Sequence, residues 1–112
     1  MPRKNPEPVI VLVTAPNRQT ARKLAAAALR HRLVACANII PAVESHYWWQ
    51  GKLEKSAELL ILFKTTSARL RDLERTVMEL HPYDTPEFVA IRPSSVVPKY
   101  LAWWLGACGN ET

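Results

Sequence analysis

Glycine is scarce in this sequence, and the motifs that depend on it are missing. The chain has three glycines, Gly51, Gly106 and Gly109. Walker phosphate loops and dinucleotide-binding fingerprints need several closely spaced glycines, so neither class of site is supported. The sequence also contains no HExxH, CxxC or GxSxG string, which removes motif support for zincins, thioredoxin-like proteins and α/β-hydrolases. We therefore expect a protein without catalytic activity.

Cysteines and long apolar segments are equally few. Cys36 and Cys108 are too few for a disulfide framework, and their spacing matches no zinc motif. The apolar run Val9–Val13 is shorter than the hydrophobic segment of a signal peptide or a membrane span. These features predict a cytoplasmic protein without a membrane partner.

The charge balance is basic, with a formal net charge of +5 over 112 residues. Most cations fall on two predicted helices, as Arg18, Arg22, Lys23, Arg30 and Arg32 on the first and Arg69, Arg71 and Arg75 on the second. The second group is interleaved with acidic residues, and no signature of an RNA- or DNA-binding module accompanies either group. We interpret both groups as solvated helix faces and expect no nucleic-acid partner.

Strand and helix patterns alternate along the chain. Val9–Val13 is β-branched and apolar, which is typical of a strand buried on both faces. Asn17 is placed to cap a helix that ends near His31. The apolar residues of this helix recur with helical spacing, at Ala21, Leu24, Ala25, Ala28 and Leu29.

The second half of the chain repeats this alternation. Thr66 or Ser67 caps a second predicted helix, which ends near His81 because Pro82 disfavours helical geometry in the preceding residue. A last strand covers Phe88–Arg92. A short helix follows from near Pro98 to Gly106, and its inward residues are Leu101, Trp104 and Leu105.

The order β α β β α β α predicts an α+β, ferredoxin-like split βαβ sandwich with a long protruding hairpin and a short C-terminal helix. We place one domain at residues 9–106, a flexible lead at residues 1–8 and a flexible tail at residues 107–112.

The long hairpin is the dominant feature of this pattern. Its predicted arms are Leu33–Trp49 and Glu58–Thr66, and Gln50-Gly51 lies at the turn. Strands usually have about 5 to 6 residues, so arms of this length protrude and leave edges that need a partner. We expect that partner to be another copy of the chain. Pro41 cannot donate to a strand ladder and predicts a bulge that redirects the first arm towards that copy.

Several residues are candidates for a binding site. His81 stands at a helix end, where it is either a cap or a ligand. Lys64 and Glu87 either line a cleft or pair with each other. Cys36, on the same strand face as Asn38, is either a small buried hydrophobe or a ligand.

The aromatic run Tyr47-Trp48-Trp49 is either a stacking platform or a subunit contact. An enzyme that uses Lys64, Glu87 and Tyr83 is the weakest of the functions considered, since no pair of nucleophile and base is evident.

Six strings in this sequence resemble the CutA divalent-cation tolerance family in order and spacing. They are TAPN, LVACANIIP, SxYWWQGK, KTT, HPYDTPE and YLAWW, and the resemblance covers Val9–Leu105. The resemblance implies a fold similar to that of trimeric PII signalling proteins and a homotrimer formed through the long strands. It also implies a role in divalent-cation tolerance or response, with a cation or a small anionic ligand bound between subunits. PII-like signalling, or a structural trimer that presents a surface to a partner protein, is the alternative.

The resemblance also implies a copper site, which is depleted in this chain. Bacterial members of the family bind copper through a cysteine in the first-strand turn and a His-His pair before Pro-Tyr. Val13 and Leu80 occupy two of these three positions, and only His81 remains. We therefore expect weak Cu(II) binding that depends mainly on His81, with His46 as an adventitious site. Cys36, Asn38, Trp49, Lys64, Tyr83 and Glu87 are the remaining cleft candidates.

Overall fold

The computed structural model describes residues 5–109, which form four strands and three helices. In chain order these are β1 (Pro8–Ala15), α1 (Arg18–Arg30), β2 (Cys36–Trp49), β3 (Lys52–Thr66), α2 (Leu70–Leu80), β4 (Val89–Ile91) and α3 (Pro98–Ala107). The strands form one sheet in the order β2-β3-β1-β4, and all neighbouring strands are antiparallel. This is the ferredoxin-like arrangement that the sequence predicts.

The core lies between one face of the sheet and helices α1 and α2. Alternate residues of β1, Val9, Val11 and Val13, point into it and are almost fully buried. Ile10 and Leu12 on the opposite face are partly exposed, so the prediction that β1 is buried on both faces is wrong. The core cluster comprises Val9, Val11, Val13, Ala15, Ala21, Leu24, Ala28, Leu33, Val34, Leu59, Ile61, Phe63, Leu73 and Val77.

The helix boundaries confirm part of the sequence interpretation. Asn17 caps α1, because its side-chain oxygen accepts a hydrogen bond from the amide of Thr20 at 2.8 Å. Leu29 is 45% exposed, so its predicted inward orientation is wrong for a single protomer, and Ala27 is buried in the helix instead. Helix α1 turns its small residues towards the sheet, which allows close packing.

The other two helices differ from prediction at their ends. Neither Thr66 nor Ser67 caps α2, since the cap position is Arg69 and lacks a side-chain hydrogen bond. The hydroxyl of Ser67 instead accepts a hydrogen bond from the amide of Glu7. Gly106 does not end α3, which continues to Ala107. No helix within residues 5–109 is long and apolar enough to cross a membrane.

The hairpin β2–β3 has the predicted turn and the predicted bulge. Gln50 and Gly51 have φ values of 50° and 79°, the positive values that a tight two-residue hairpin turn requires. The pairing register shifts between Ile40 and Val43, which places Pro41 at the bulge. β2 begins at Cys36, three residues after the predicted start, and β3 begins at Lys52, six residues before it.

The hairpin extends beyond the packed part of the molecule. The radius of gyration is 15.0 Å, whereas a compact domain of this length has about 13 Å. The longest dimension is 48 Å against 27 and 26 Å for the other two. At the tip, Trp48 and Leu53 are cross-strand partners with exposed fractions of 73% and 67%.

Residues on both sides of the predicted domain are attached to it. The amide of Ser67 donates to the carbonyl of Glu7, and Arg92 donates to the Glu7 carboxylate at 2.9 Å. Cys108 is 1% exposed, and the amide of Gly109 donates to the carbonyl of Arg32. The rest of the predicted lead, residues 1–4, and of the predicted tail, residues 110–112, lies outside the described residues.

Candidate functional site

The predicted site residues divide into two groups, one near the C-terminal end of β3 and one near its middle. Lys64 lies in one group, and Glu87 lies near Glu58 in the other. Lys64 and Glu58 are six residues apart on one strand, which corresponds to roughly 20 Å. The predicted pairing of Lys64 with Glu87 is therefore wrong, and no such ion pair occurs within residues 5–109.

The first group surrounds the Lys64 ammonium. Lys64 Nζ donates to Asn38 Oδ1 at 2.9 Å, and Cys36 Sγ donates to the same oxygen at 3.4 Å. Lys64 Nζ also lies 5.7 Å from the centre of the Tyr100 ring of α3. These contacts place three of the predicted cleft residues in one small polar cluster that holds Lys64 in position.

The second group lines a cleft of about 770 Å³ beside the hairpin. The predicted residues Trp49, Tyr83 and Glu87 all contribute to its wall. The loop between α2 and β4 forms one side, and the half of the hairpin beyond the bulge forms the other. The full lining is Thr14, Glu44, Ser45, His46, Tyr47, Trp49, Glu58, Tyr83, Asp84, Thr85, Pro86 and Glu87.

Glu58 is the most buried carboxylate of the cleft. It is 8% exposed, and its Oε2 accepts a hydrogen bond of 2.6 Å from the Tyr83 hydroxyl. Within residues 5–109, no lysine, arginine or histidine lies at ion-pair distance from it. Burial raises the pKa of Tyr83 well above its usual value, and the hydrogen bond to Glu58 raises it further, so this hydroxyl remains a donor. Within residues 5–109, the neutral Tyr83 hydroxyl is thus the one hydrogen-bond donor to the Glu58 side chain.

Glu87 is a second carboxylate in the cleft, and its electrostatic environment includes Glu58. Burial raises the pKa of Glu87 above its ordinary value, and the negative charge of Glu58 raises it further. Two carboxylates that repel each other in one cleft are arranged to favour a positive charge between them. This electrostatic situation is typical of cation-binding sites and of shared-proton pairs.

His81 lies behind the cleft and is bound through both ring nitrogens. Nδ1 accepts a hydrogen bond from the amide of Tyr83 at 3.1 Å, which assigns the proton to Nε2. Nε2 then donates to the carbonyl of Thr14 at 2.7 Å. The residue is 8% exposed, and its ring packs against that of Tyr83 with centroids 4.6 Å apart. His81 therefore offers no free lone pair in this geometry, and it positions Tyr83.

The other positions implied by the resemblance supply no copper donor. Val13 is fully buried in the core, and Leu80 packs against the same core cluster. His46 is exposed, and its Nε2 atom lies 2.6 Å from Oε2 of Glu44. Both residues border the cleft, but the pairing register places their side chains on the face of the hairpin opposite Glu58, because their partners on β3 are Lys55 and Ala57. Among residues 5–109, no three His, Cys, Asp or Glu side chains are grouped to hold a metal ion.

The sequence interpretation named Glu58 as a strand end and missed it as a site residue. A signal was present, since Glu58 is the one charged residue at the head of the apolar run Leu59–Phe63. A carboxylate inside a buried strand is rare unless something pairs with it. Its partner Tyr83 could not be identified, because the two residues are 25 positions apart.

A family model for the CutA1 divalent ion tolerance protein matches residues 9–106. The chain belongs to the CutA1 family. A divalent-cation tolerance protein CutA from Thermus thermophilus is 43% identical over 94 residues, which cover 84% of this chain and 91% of that protein. The solved structure of a Cut A1 protein from Thermus thermophilus superposes with a TM-score of 0.88 at 40% identity, over 91% of this chain and 99% of that one.

Plant members of the CutA1 family are also similar. The chloroplastic protein CutA 1 of Oryza sativa is 40% identical over 95 residues, which cover 85% of this chain but 54% of the plant protein. The chain thus spans about half the length of such plant relatives. The crystal structure of rice CutA1 superposes with a TM-score of 0.88 at 36% identity, over 96% of this chain and all of that one.

Proposed function

We propose that this protein binds a divalent cation through Glu58 and Glu87, in the cation-tolerance role that gives the family its name. The observation that carries the proposal is Glu58. The Glu58 carboxylate is 8% exposed and has one neutral hydrogen-bond donor, and a buried carboxylate is stable in its charged form only when a positive charge lies beside it. A cation bound between Glu58 and Glu87 supplies the missing positive charge.

The donor atoms favour a hard cation over copper. Carboxylate oxygens and water suit Mg²⁺, Ca²⁺ and Mn²⁺, whereas copper selects imidazole and thiolate ligands. A site of this kind is built from one or two carboxylates, and water completes it. One protomer does not group three ligand side chains within residues 5–109, so the remaining positions belong to water or to a second copy. Weak Cu(II) binding then involves His46 and Glu44 on the outer face rather than His81.

We also propose that the protein acts as a homotrimer and as a binding protein rather than an enzyme. The exposed pair Trp48 and Leu53 at the hairpin tip supports association, because large apolar side chains at this level of exposure favour burial against another copy. PII-like signalling is the second candidate function, in which the assembled surface binds a partner protein. Light scattering that gives a monomer mass at micromolar concentration would contradict the trimer.

Calorimetric titration tests the cation site. Mn²⁺ and Cu²⁺ are titrated into the purified wild type and into Glu58→Gln, Glu87→Gln and His81→Gln, with Glu54→Gln as the control on an exposed carboxylate of the same strand. We expect Mn²⁺ affinity to fall at least tenfold in the Glu58 and Glu87 variants and to be unchanged in the other two. A loss confined to His81→Gln would contradict the proposal and restore His81 as the ligand.

A further inference from the structure

The cations of this chain are unevenly distributed, and α1 holds the surplus. Residues 18–32, which contain α1 and the two residues after it, include five cations and no carboxylate. The other ten cations balance the ten carboxylates of the chain, so this segment accounts for the whole net charge of +5. We call its cations the α1 basic face, namely Arg18, Arg22, Lys23, Arg30 and Arg32.

The structure leaves this face exposed. All five residues are exposed, because the buried side of α1 is formed by Ala21, Leu24 and Ala28, which pack against the sheet. Within residues 5–109, none of the five side chains forms an ion pair or a side-chain hydrogen bond.

The neighbouring helix α2 is different. Its exposed side mixes cations with carboxylates, and Arg75 pairs with Asp72 at 3.1 Å. The exposed side of α2 is therefore an ordinary solvated surface on which opposite charges offset each other. Helix α1 differs, because its positive charges repel one another and the helix contains no carboxylate to offset them.

We propose that the α1 basic face binds double-stranded nucleic acid through its phosphates, without sequence specificity. Helix α1 is about 20 Å long, and duplex DNA presents one negative charge per about 1.7 Å of its axis, so a duplex of the same length carries more phosphates than this face has cations. Four of the five are arginines, whose planar guanidinium group matches phosphate oxygens in pairs.

A nucleic acid fits this face better than a membrane does. Stable adsorption of a helix to a bilayer combines basic residues with apolar insertion. Helix α1 buries its apolar stripe in the core, and Leu29 is its one exposed large apolar residue. The inference departs from the expectation of solvated helix faces, because the cations of the α1 basic face are all exposed and none of them forms an ion pair within residues 5–109.

Fluorescence anisotropy with labelled 24-base-pair duplexes of two unrelated sequences tests the inference on the full chain. The α1 variant is Arg22→Gln/Lys23→Gln/Arg30→Gln. The matched control is Lys52→Gln/Arg71→Gln/Lys99→Gln, which lowers the net charge equally at exposed positions outside α1. A third variant, Arg22→Lys/Arg30→Lys, keeps the charge of α1. All altered positions are exposed, and circular dichroism verifies that each variant is folded.

The salt dependence of affinity is the decisive readout. For five phosphate contacts we expect the logarithm of the association constant to fall with the logarithm of salt concentration at a slope of about −4.5. The α1 variant is expected to show a slope of about −2, whereas the control and the lysine variant keep slopes close to wild type. Equal losses in the α1 variant and the control would overturn the proposal, as would binding to phosphatidylserine vesicles without binding to either duplex.

Discussion

The two halves of the β2–β3 hairpin share the same strands but have opposite surroundings. On the side of the bulge nearer the helices, Leu59, Ile61 and Phe63 are buried beneath α1 and α2. On the far side, Leu53 and Trp48 are mostly exposed. Apolar content alone does not separate the halves, since both contain large apolar residues. What separates them is the presence of helices that cover one half only.

The largest expected effect contrasts one buried and one exposed aliphatic residue of β3. Ile61→Ala removes a side chain that is fully buried and should lower the free energy of unfolding by about 2 to 5 kcal/mol. Leu53→Ala should lower the protomer's own stability by less than about 0.5 kcal/mol. Urea unfolding at two protein concentrations measures both values. A Leu53→Ala cost that rises with protein concentration would show that the tip is buried against another copy.

The next contrast compares a buried histidine, His81, with an exposed histidine of the hairpin, His46. His81→Ala leaves the carbonyl of Thr14 and the amide of Tyr83 without partners and should cost roughly 2 to 4 kcal/mol. His46→Ala, at an exposed position, should change stability by less than about 0.5 kcal/mol. Thermal unfolding compares the two variants. Similar small effects would mean that His81 has no structural role.

Removal of one hydroxyl from the cleft should have an intermediate effect. Tyr83→Phe leaves the buried Glu58 carboxylate without its donor and should cost about 1 to 2 kcal/mol. Tyr47→Phe is the matched control, because its hydroxyl makes a 3.2 Å hydrogen bond to Ser56 in exposed surroundings. Denaturant unfolding in the presence of a chelator measures both. An equal cost in the two variants would contradict the special position of Glu58.

The smallest expected effect depends on pH. The folded-state pKa of Glu87 is raised by burial and by Glu58, so ionisation of Glu87 favours the unfolded chain. This cost is complete once the pH exceeds the folded-state pKa, and it declines as the pH falls through the unfolded-state pKa of about 4.3, because the carboxyl group then becomes protonated in both states. Without a bound cation, Glu87→Gln should therefore stabilise the protein at pH 7 by about 0.3 kcal/mol and by less at pH 4.

The control for this pH effect is Glu54→Gln at an exposed position of β3. Thermal unfolding at both pH values, with a chelator present, gives the comparison. A stabilisation by Glu87→Gln that is equal at pH 4 and pH 7 would show that ionisation is not its cause.

The sequence predicted the features that depend on local chemistry. Asn17 as a cap, Gln50-Gly51 as a turn and Pro41 as a bulge each follow from the backbone preferences of a few adjacent residues. The family was also evident, because its strings retain their spacing along the whole domain. Element order and fold class followed from the same patterns.

The candidate site was less predictable because it depends on tertiary distances. Lys64 and Glu87 were predicted either to line a cleft or to pair with each other, and the strand register separates them. The hydrogen bonds of His81 reach Thr14, which is 67 positions away in sequence. No periodic pattern encodes such a contact, so the sequence left His81 as either a helix cap or a ligand, and only the family resemblance implied the ligand role.

The bulge at Pro41 reconciles two pairing registers that differ by one residue. The two-residue turn pairs Trp49 with Lys52, whereas the buried half pairs Ile40 with Leu60, and unbroken pairing cannot satisfy both. Ala42 absorbs the extra residue with a φ of 65°. The extra residue also inverts which residues of β2 share a face with Glu58, because side chains alternate along a strand. Without the bulge, Tyr47 and Trp49 would lie on the opposite face of the hairpin from Glu58.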